Sequence, residues 1–307
     1  MKHLIVVVGP TAVGKTALSV QLAKNFGTEV LSADSRQFYR EMEIGTAKPT
    51  PDEMDGVPHH FVDCRSIHEP YDVGQFEKEA LEKLEQLYQH LDLVIMTGGS
   101  GLFVDAVCRG FDELPKPGSE VRAAVTELYE QQGLSALQRE LQLSDPEYYA
   151  IVDRQNPQRL MRALEVCRAT GLKFSDLRKG AKADRPFEVV KVGLNTERDI
   201  LYERIDHRMD LMVEAGLFEE AERLAPYKTL NALQTVGYRE IYGFLDGEYD
   251  RDEAIRLLKR NSRRYAKRQL TWFKRDQQTA WFLPNQIAEI INHIQEKVSL
   301  KGSESKD

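Results

Sequence analysis

The spacing of apolar residues separates strands from helices along this chain. Leu4 to Val8 (LIVVV) is a β-branched run with no polar break, which predicts a strand buried on both faces. After the intervening GPTAVGKT, Leu18, Leu22 and Phe26 recur at i, i+4 and i+8, the spacing of a helix. Two further strands are predicted, Glu29 to Ser32 before ADSRQ and Leu93 to Met96 before TGGSG. Between them Leu81, Leu84, Leu87 and Leu91 mark an amphipathic helix. Alternating strands and helices predict an α/β fold whose parallel sheet is covered on both faces. Loops that follow such strands gather at the C-terminal edge of the sheet, where ligands of these folds bind.

The pattern changes at Phe111 to Ser119 (FDELPKPGS), whose prolines and glycine predict a linker. Helical spacing without a strand then continues to about Arg178, and a second polar linker occupies Arg178 to Pro186 (RKGAKADRP). Phe187 to Leu194 resumes a strand-like run. The simplest organisation is a discontinuous core, 1–114 and 186–300, interrupted by an all-helical insertion over 115–185. The core closes with C-terminal helices over Arg198 to about Leu224, Asp252 to about Lys274 and Gln286 to about Val298, and 301–307 is expected to be a disordered tail.

Composition narrows the class. With 307 residues, 41% of them hydrophobic, the chain has ample material for a core. No apolar run approaches the roughly 18–20 residues that span a bilayer, and the N-terminus lacks the form of a secretory signal, so a cytoplasmic protein without membrane attachment is expected. Cys64, Cys108 and Cys167 are odd in number and far apart, which predicts reduced, mostly buried thiols.

Gly9-Pro10-Thr11-Ala12-Val13-Gly14-Lys15-Thr16 fits G-x-x-x-x-G-K-[ST] between a buried strand and a helix, the context of a P-loop NTPase-like core. Its glycines let backbone N–H groups turn around a phosphate, Lys15 pairs with phosphate oxygens, and Thr16 can ligate Mg²⁺. The motif specifies a di- or triphosphate ligand and leaves the reaction open. Thr97-Gly98-Gly99 ends the third strand with no acidic residue in the place of a Walker B Asp, which weakens an ATPase reading.

Asp34-Ser35-Arg36-Gln37 should lie beside the P-loop at the same edge. Asp34 is a candidate general base, although capping a turn or helix is the commoner use of an Asp or Ser there. Ser100 either caps the helix that follows or faces the ligand. His59, His60 and Asp63 lack the further ligand a metal site needs, since adjacent histidines point in different directions.

The net charge of −7 conceals a basic block, because Arg251 to Arg275 holds ten Lys/Arg against Asp252 and Glu253. Arg256, Arg260, Arg263 and Lys267 form a helical stripe with Tyr265, Trp272 and Phe273 interleaved. Phosphate-contacting cations with aromatic platforms suit RNA carrying an unstacked base, and a solvated helix with core aromatics is the alternative. A second basic group, Arg154, Arg159, Arg162 and Arg168, falls in the insertion and is the sort of group more often found on a solvated face.

In order, GPTAVGKT, SADSRQFYREMEIGTAKPT, GVPHHFVD, TGGSGLFVDAV, NPQRLMRALEV, TVGYREIYGFLDGEYD and RRYAKRQLTWFKR resemble the tRNA dimethylallyltransferase family, the isopentenyl-diphosphate:tRNA transferases, from Gly9 to Arg275. The resemblance implies transfer of a dimethylallyl group from dimethylallyl diphosphate to the exocyclic N6 amine of the adenosine 3′-adjacent to the anticodon, with release of pyrophosphate. It implies that the P-loop and Arg208 hold the diphosphate with Mg²⁺, that Asp34 takes the amine proton, and that Ser100 serves in catalysis where the family often has Thr. It further implies tRNA contacts from Asp34, Ser35, Arg36, Gln37, Ser100, Arg122 and the run Gln158, Arg159, Leu160, Met161, Arg162. In the last third, Arg260, Arg263, Arg264, Lys267 and Arg268 are expected to join them. The insertion would grip the anticodon stem-loop, and a monomer suffices. An ATP-dependent small-molecule or nucleoside kinase would explain the P-loop and leave the basic helix without a use. A non-catalytic RNA binder would leave the P-loop without one, and an enzyme prenylating free adenine nucleotides would not need the insertion.

Overall fold

A computed structural model of the chain describes residues 1–112, 114–178, 180 and 183–304. It divides into two compact units, Met1–Arg109 with Asp184–Asp307, and Gly110–Ala183. The first unit begins with β1 (His3–Val8), α1 (Lys15–Phe26), β2 (Val30–Ser32), α2 (Pro51–Met54), β3 (His59–His60), α3 (Val73–Leu87), β4 (Leu93–Thr97) and α4 (Gly101–Arg109). The second unit holds α5 (Ser119–Gln132), α6 (Leu134–Ser144), α7 (Pro146–Ile151), α8 (Pro157–Thr170) and α9 (Phe174–Leu177). The chain then returns to the first unit through β5 (Glu188–Leu194), α10 (Arg198–Glu214), α11 (Leu217–Leu224), α12 (Tyr238–Leu245), α13 (Arg251–Phe273), β6 (Ala280–Phe282) and α14 (Ile287–Glu304).

The strands form one parallel sheet in the order β3-β2-β4-β1-β5-β6. β1 is central and wholly buried, as its unbroken apolar run requires. Leu4, Val6 and Val8 pack toward α3 and α4, while Ile5 and Val7 pack toward α1, α10 and α14, so alternate residues serve the two faces. The chain leaves β1 toward β2 and returns to place β4 between them, so the loop after β1 opens at the point where the winding reverses.

β3 and β6 were not legible in the sequence: these edge strands have two and three residues, too few to show a period. The single helix expected over Arg198 to Leu224 is two, α10 and α11, because Gly216 at φ +101 takes a left-handed conformation that ends one and starts the other. Elsewhere local chemistry marks the helix starts. Asp72 with Gln75 and Thr50 with Glu53 make reciprocal capping boxes, and Asn156 and Asp250 accept N–H bonds at the heads of α8 and α13. The second unit has its own core around Val125, Leu137, Leu141, Leu160 and Leu164. Of the expected linkers, residues 113, 179, 181 and 182 lie outside the described residues. So do 305–307 of the expected tail, and α14 continues to Glu304. No described helix is long and apolar enough to cross a membrane.

Candidate active site

The loop Gly9 to Gly14 leaves β1 and feeds α1, so Lys15 and Thr16 open the helix. Ala12 takes φ +63, a left-handed conformation that costs a residue with a Cβ about 1–2 kcal/mol, so the loop is held in its turn by its surroundings. Lys15 Nζ donates to Pro10 O at 2.8 Å, and burial pushes its pKa down to about 8, with Asp34 opposing the fall and Arg208 adding to it. Arg208, from α10, donates to Thr11 Oγ1 at 3.3 Å. Burial lowers its pKa as well, while Asp34 and Glu53 oppose.

Of the two uses weighed for Asp34, the turn cap is present, and the carboxylate also lies among the site's charged groups. Its Oδ1 accepts the Arg36 N–H at 3.0 Å and so caps the turn, while its charge acts on Lys15, Arg208 and the Tyr265 phenol. The Tyr265 phenol is pushed up mainly by burial and then by Asp34. Ser100 does not spend its hydroxyl on the following helix. Its Oγ accepts the Ser35 N–H at 2.9 Å and lies 3.0 Å from Ser35 Oγ, which ties the end of β4 to the end of β2. Arg36 and Gln37 are engaged within the protein: Arg36 donates to Asn231 O and Ala232 O at 2.9 and 3.1 Å, and Gln37 to Ala47 O at 3.1 Å.

Two residues that periodicity did not single out complete the arrangement. Gln269 lies on the buried stripe of α13 with Ala254, Leu258, Ser262, Ala266 and Phe273, where an amide replaces the expected apolar residue. Its Oε1 accepts the Thr11 N–H at 2.8 Å and its Nε2 donates to Gly99 O at 3.0 Å. A polar residue on an apolar stripe was the available signal. The second, Glu220, is 1% exposed. It accepts the N–H groups of Glu43, Ile44 and Gly45 at 3.1, 2.9 and 2.9 Å and the Tyr238 hydroxyl at 2.6 Å. A Cβ on Gly45 would collide with the Tyr238 ring, so the IGTAKP and GYRE motifs fit each other.

The basic helix divides. Arg263, expected as an RNA contact, pairs with Asp206 on α10 at 2.6 Å and Lys259 pairs with Asp210 at 2.6 Å, so both cations brace α13 against α10. Arg256 pairs with Glu253 on its own helix. Arg264 and Arg268, on the opposite flank, join Gln234, Thr235, Arg239, Asn261 and Tyr265 around a cleft of about 510 Å³, and Lys267 is exposed. Of the aromatic platforms expected beside the stripe, Phe273 is in the core, Trp272 is part-buried and its Nε1 donates to Asp105 Oδ2 at 2.9 Å, and Tyr265, part-buried, lines the cleft with the Arg268 guanidinium over its ring. In the second unit Gln158 and Arg159 are exposed, and Arg122 and Arg162 flank Glu165 at 3.9 and 3.7 Å. Leu160 is a correction to the expected RNA-contacting run, since its side chain is fully buried in the core of that unit. Among the described residues no group of three or more His, Cys, Asp or Glu could hold a metal ion.

A family model described as IPP transferase matches residues 37–276. The chain is similar to the tRNA dimethylallyltransferase of Cytophaga hutchinsonii, 55% identical over 297 residues that cover 97% of this chain and 98% of that protein. That of Flavobacterium johnsoniae is 49% identical, covering 99% and 100%. Among solved structures, the tRNA isopentenylpyrophosphate transferase of Bacillus halodurans superposes with a TM-score of 0.75 at 40% identity over the whole of both chains. A eukaryotic dimethylallyltransferase acting on tRNA superposes at 0.73 and 27% identity, covering 89% of this chain and 70% of that one.

Proposed function

This chain belongs to the tRNA dimethylallyltransferase family, and from that premise we propose how its own residues carry the transfer. The enzyme is a prenyltransferase acting on tRNA. One observation supports the assignment of roles: Lys15, Arg208 and Asp34 converge beside a P-loop whose neighbouring strand ends in Thr97-Gly98-Gly99, without an acid to activate a hydrolytic water. Such a site suits a ligand whose diphosphate leaves.

The P-loop amides, Lys15 and Arg208 hold the diphosphate of dimethylallyl diphosphate and stabilise the negative charge that grows on the leaving oxygen. The adenosine N6 attacks the allylic carbon as the C–O bond breaks. Pyrophosphate departs with the electron pair, and Asp34 takes the proton N6 loses. Ser100 holds Ser35, and through it the loop that presents Asp34. The base 3′-adjacent to the anticodon is stacked in its loop and must be flipped out, at a cost of a few kcal/mol. Arg239, Arg264 and Arg268 around the cleft offset this cost through phosphate contacts, and the exposed Gln158, Arg159 and Arg122 of the second unit supply further RNA contacts.

The residues present fit Mg²⁺ carried in by the diphosphate: the protein offers the Thr16 hydroxyl, an oxygen donor, and among the described residues no carboxylate cage, as is usual where phosphates and water complete the shell. Bound there, the ion supplies charge to the leaving diphosphate.

The test is a transfer assay with purified protein, Mg²⁺, dimethylallyl diphosphate and unmodified tRNA, read by mass spectrometry of the digested nucleosides, with ATP in a parallel tube. A prenylated adenosine in the first tube alone is the expected result. Asp34→Ala should slow single-turnover transfer by roughly 10²–10⁴-fold with tRNA affinity little changed. Equal rates would remove Asp34 from its role, and consumption of ATP without prenylation would favour a kinase.

A further inference from the structure

We propose that Gln269 is the residue that makes this site select the RNA amine over water. The inference rests on the diphosphate reading above and goes beyond it. P-loop hydrolases hold the terminal phosphate on the loop and bring the groups that position the attacking water from the end of the neighbouring strand or its following loop, so water is used in the gap between the two. Here that gap lies between the loop after β1 and the loop after β4, and the Gln269 side chain crosses it. One end of its amide accepts the Thr11 N–H at 2.8 Å, and the other donates to Gly99 O at 3.0 Å. A Cβ on Gly99 would lie against the Gln269 amide and 3.7 Å from Asp34 Oδ2, so the amide and the proposed base border the same point of the loop after β4. Gln269 is 5% exposed and held from behind by α13, which packs against the sheet through Phe273 and Ala266.

The chemistry makes this position matter. An allylic carbon losing diphosphate is electrophilic toward any nearby nucleophile. Water attacking it forms a C–O bond as the bond to diphosphate breaks, gives its proton to Asp34, and yields dimethylallyl alcohol and pyrophosphate without touching tRNA. A buried water needs two or more polar partners and enough room. Truncating Gln269 to Ala supplies both, because it leaves the Thr11 N–H and Gly99 O without their partner and opens the volume of a carboxamide between them. Gln269 thus satisfies two loop groups that would otherwise hold a water next to the base.

The experiment measures two products from one reaction, dimethylallyl alcohol and prenylated adenosine, in the wild type, Gln269→Ala and Gln269→Leu, with full-length protein, Mg²⁺, dimethylallyl diphosphate and tRNA. The ratio of alcohol to prenylated adenosine should rise by about tenfold or more in Gln269→Ala. In Gln269→Leu, which fills the gap without hydrogen bonds, it should stay near the wild-type ratio. A purely structural role would lower both products together, so an unchanged ratio in Gln269→Ala overturns the proposal, as does an equal rise in both variants. If Gln269→Ala does not fold, the wild type still decides: alcohol formed as fast as prenylated adenosine means that Gln269 does not keep water out. Failure of the wild type to prenylate tRNA at all would instead defeat the diphosphate reading itself.

Discussion

Raising the pH from 7 to 9 should weaken the binding of dimethylallyl diphosphate by about tenfold, because of Lys15. Its part-buried ammonium donates to Pro10 O, and burial pushes its pKa from the ordinary 10.5 to about 8. A lysine whose folded pKa is depressed costs the fold stability where it is charged. At 1.36 kcal/mol per pH unit the cost is at most about 3 kcal/mol, present below pH 8 and relieved as the pH rises from 8 toward 10.5. A diphosphate supplies the missing counter-charge, so Lys15 stays protonated in the complex at pH values where the free protein has lost that proton. Binding is then linked to proton uptake, about a tenth of a proton at pH 7 and about nine-tenths at pH 9. The ligand's own titration contributes little, since the second proton of a terminal phosphate leaves near pH 6. Isothermal titration calorimetry in buffers of different ionisation enthalpy counts the protons directly. Lys15→Arg keeps its charge at both pH values and should bind with a flat pH profile. A flat profile in the wild type, or the same fall in Lys15→Arg, would refute the assignment.

Adjacent residues of α13 should behave differently when changed. Neutralising Arg264, Lys267 and Arg268 should lower the log–log salt slope of tRNA affinity by roughly 0.7–0.9 for each RNA phosphate left without its cation. Arg263→Gln, which breaks the pair with Asp206, should lower the melting midpoint and leave that slope alone, as filter binding across a salt series would report. Glu220→Ala strands three backbone N–H groups and the Tyr238 hydroxyl. The Tyr238 hydroxyl is buried and the three amides are part-buried, so at about 1–3 kcal/mol for a buried group left unpaired it should cost about 1–3 kcal/mol in denaturant unfolding, and no measurable loss would count against the cluster. Burial pushes the Cys108 thiol up to about 11, so at pH 8 about one molecule in a thousand carries the reactive thiolate. Iodoacetamide should spare Cys108 until the protein unfolds, and fast labelling of the native state would contradict its burial.

The local parts of this protein are legible in its sequence. LIVVV followed by GPTAVGKT and a helical repeat specifies a buried strand, a phosphate loop and a helix within some 25 residues, because backbone propensity, pleat and helical period all act at short range. The order of the motifs likewise carries the family, and the proline-rich breaks mark where a helical segment interrupts the α/β pattern. Side-chain partnership is not local. Arg263 and Arg264 are neighbours in an evenly basic helix, yet one turns toward Asp206 of α10 and the other toward the cleft, since each residue advances about 100° around the helix. β3 and β6 exist because a neighbouring strand offers them hydrogen bonds, which two or three residues cannot announce. Glu220 meets the amides of residues 43–45, and Gln269 meets Thr11, only after the chain has folded. Periodicity could assign faces to α13, but the partner waiting at each face was decided by distant segments packing together, and that decision separates a cation facing the cleft from a brace for the fold.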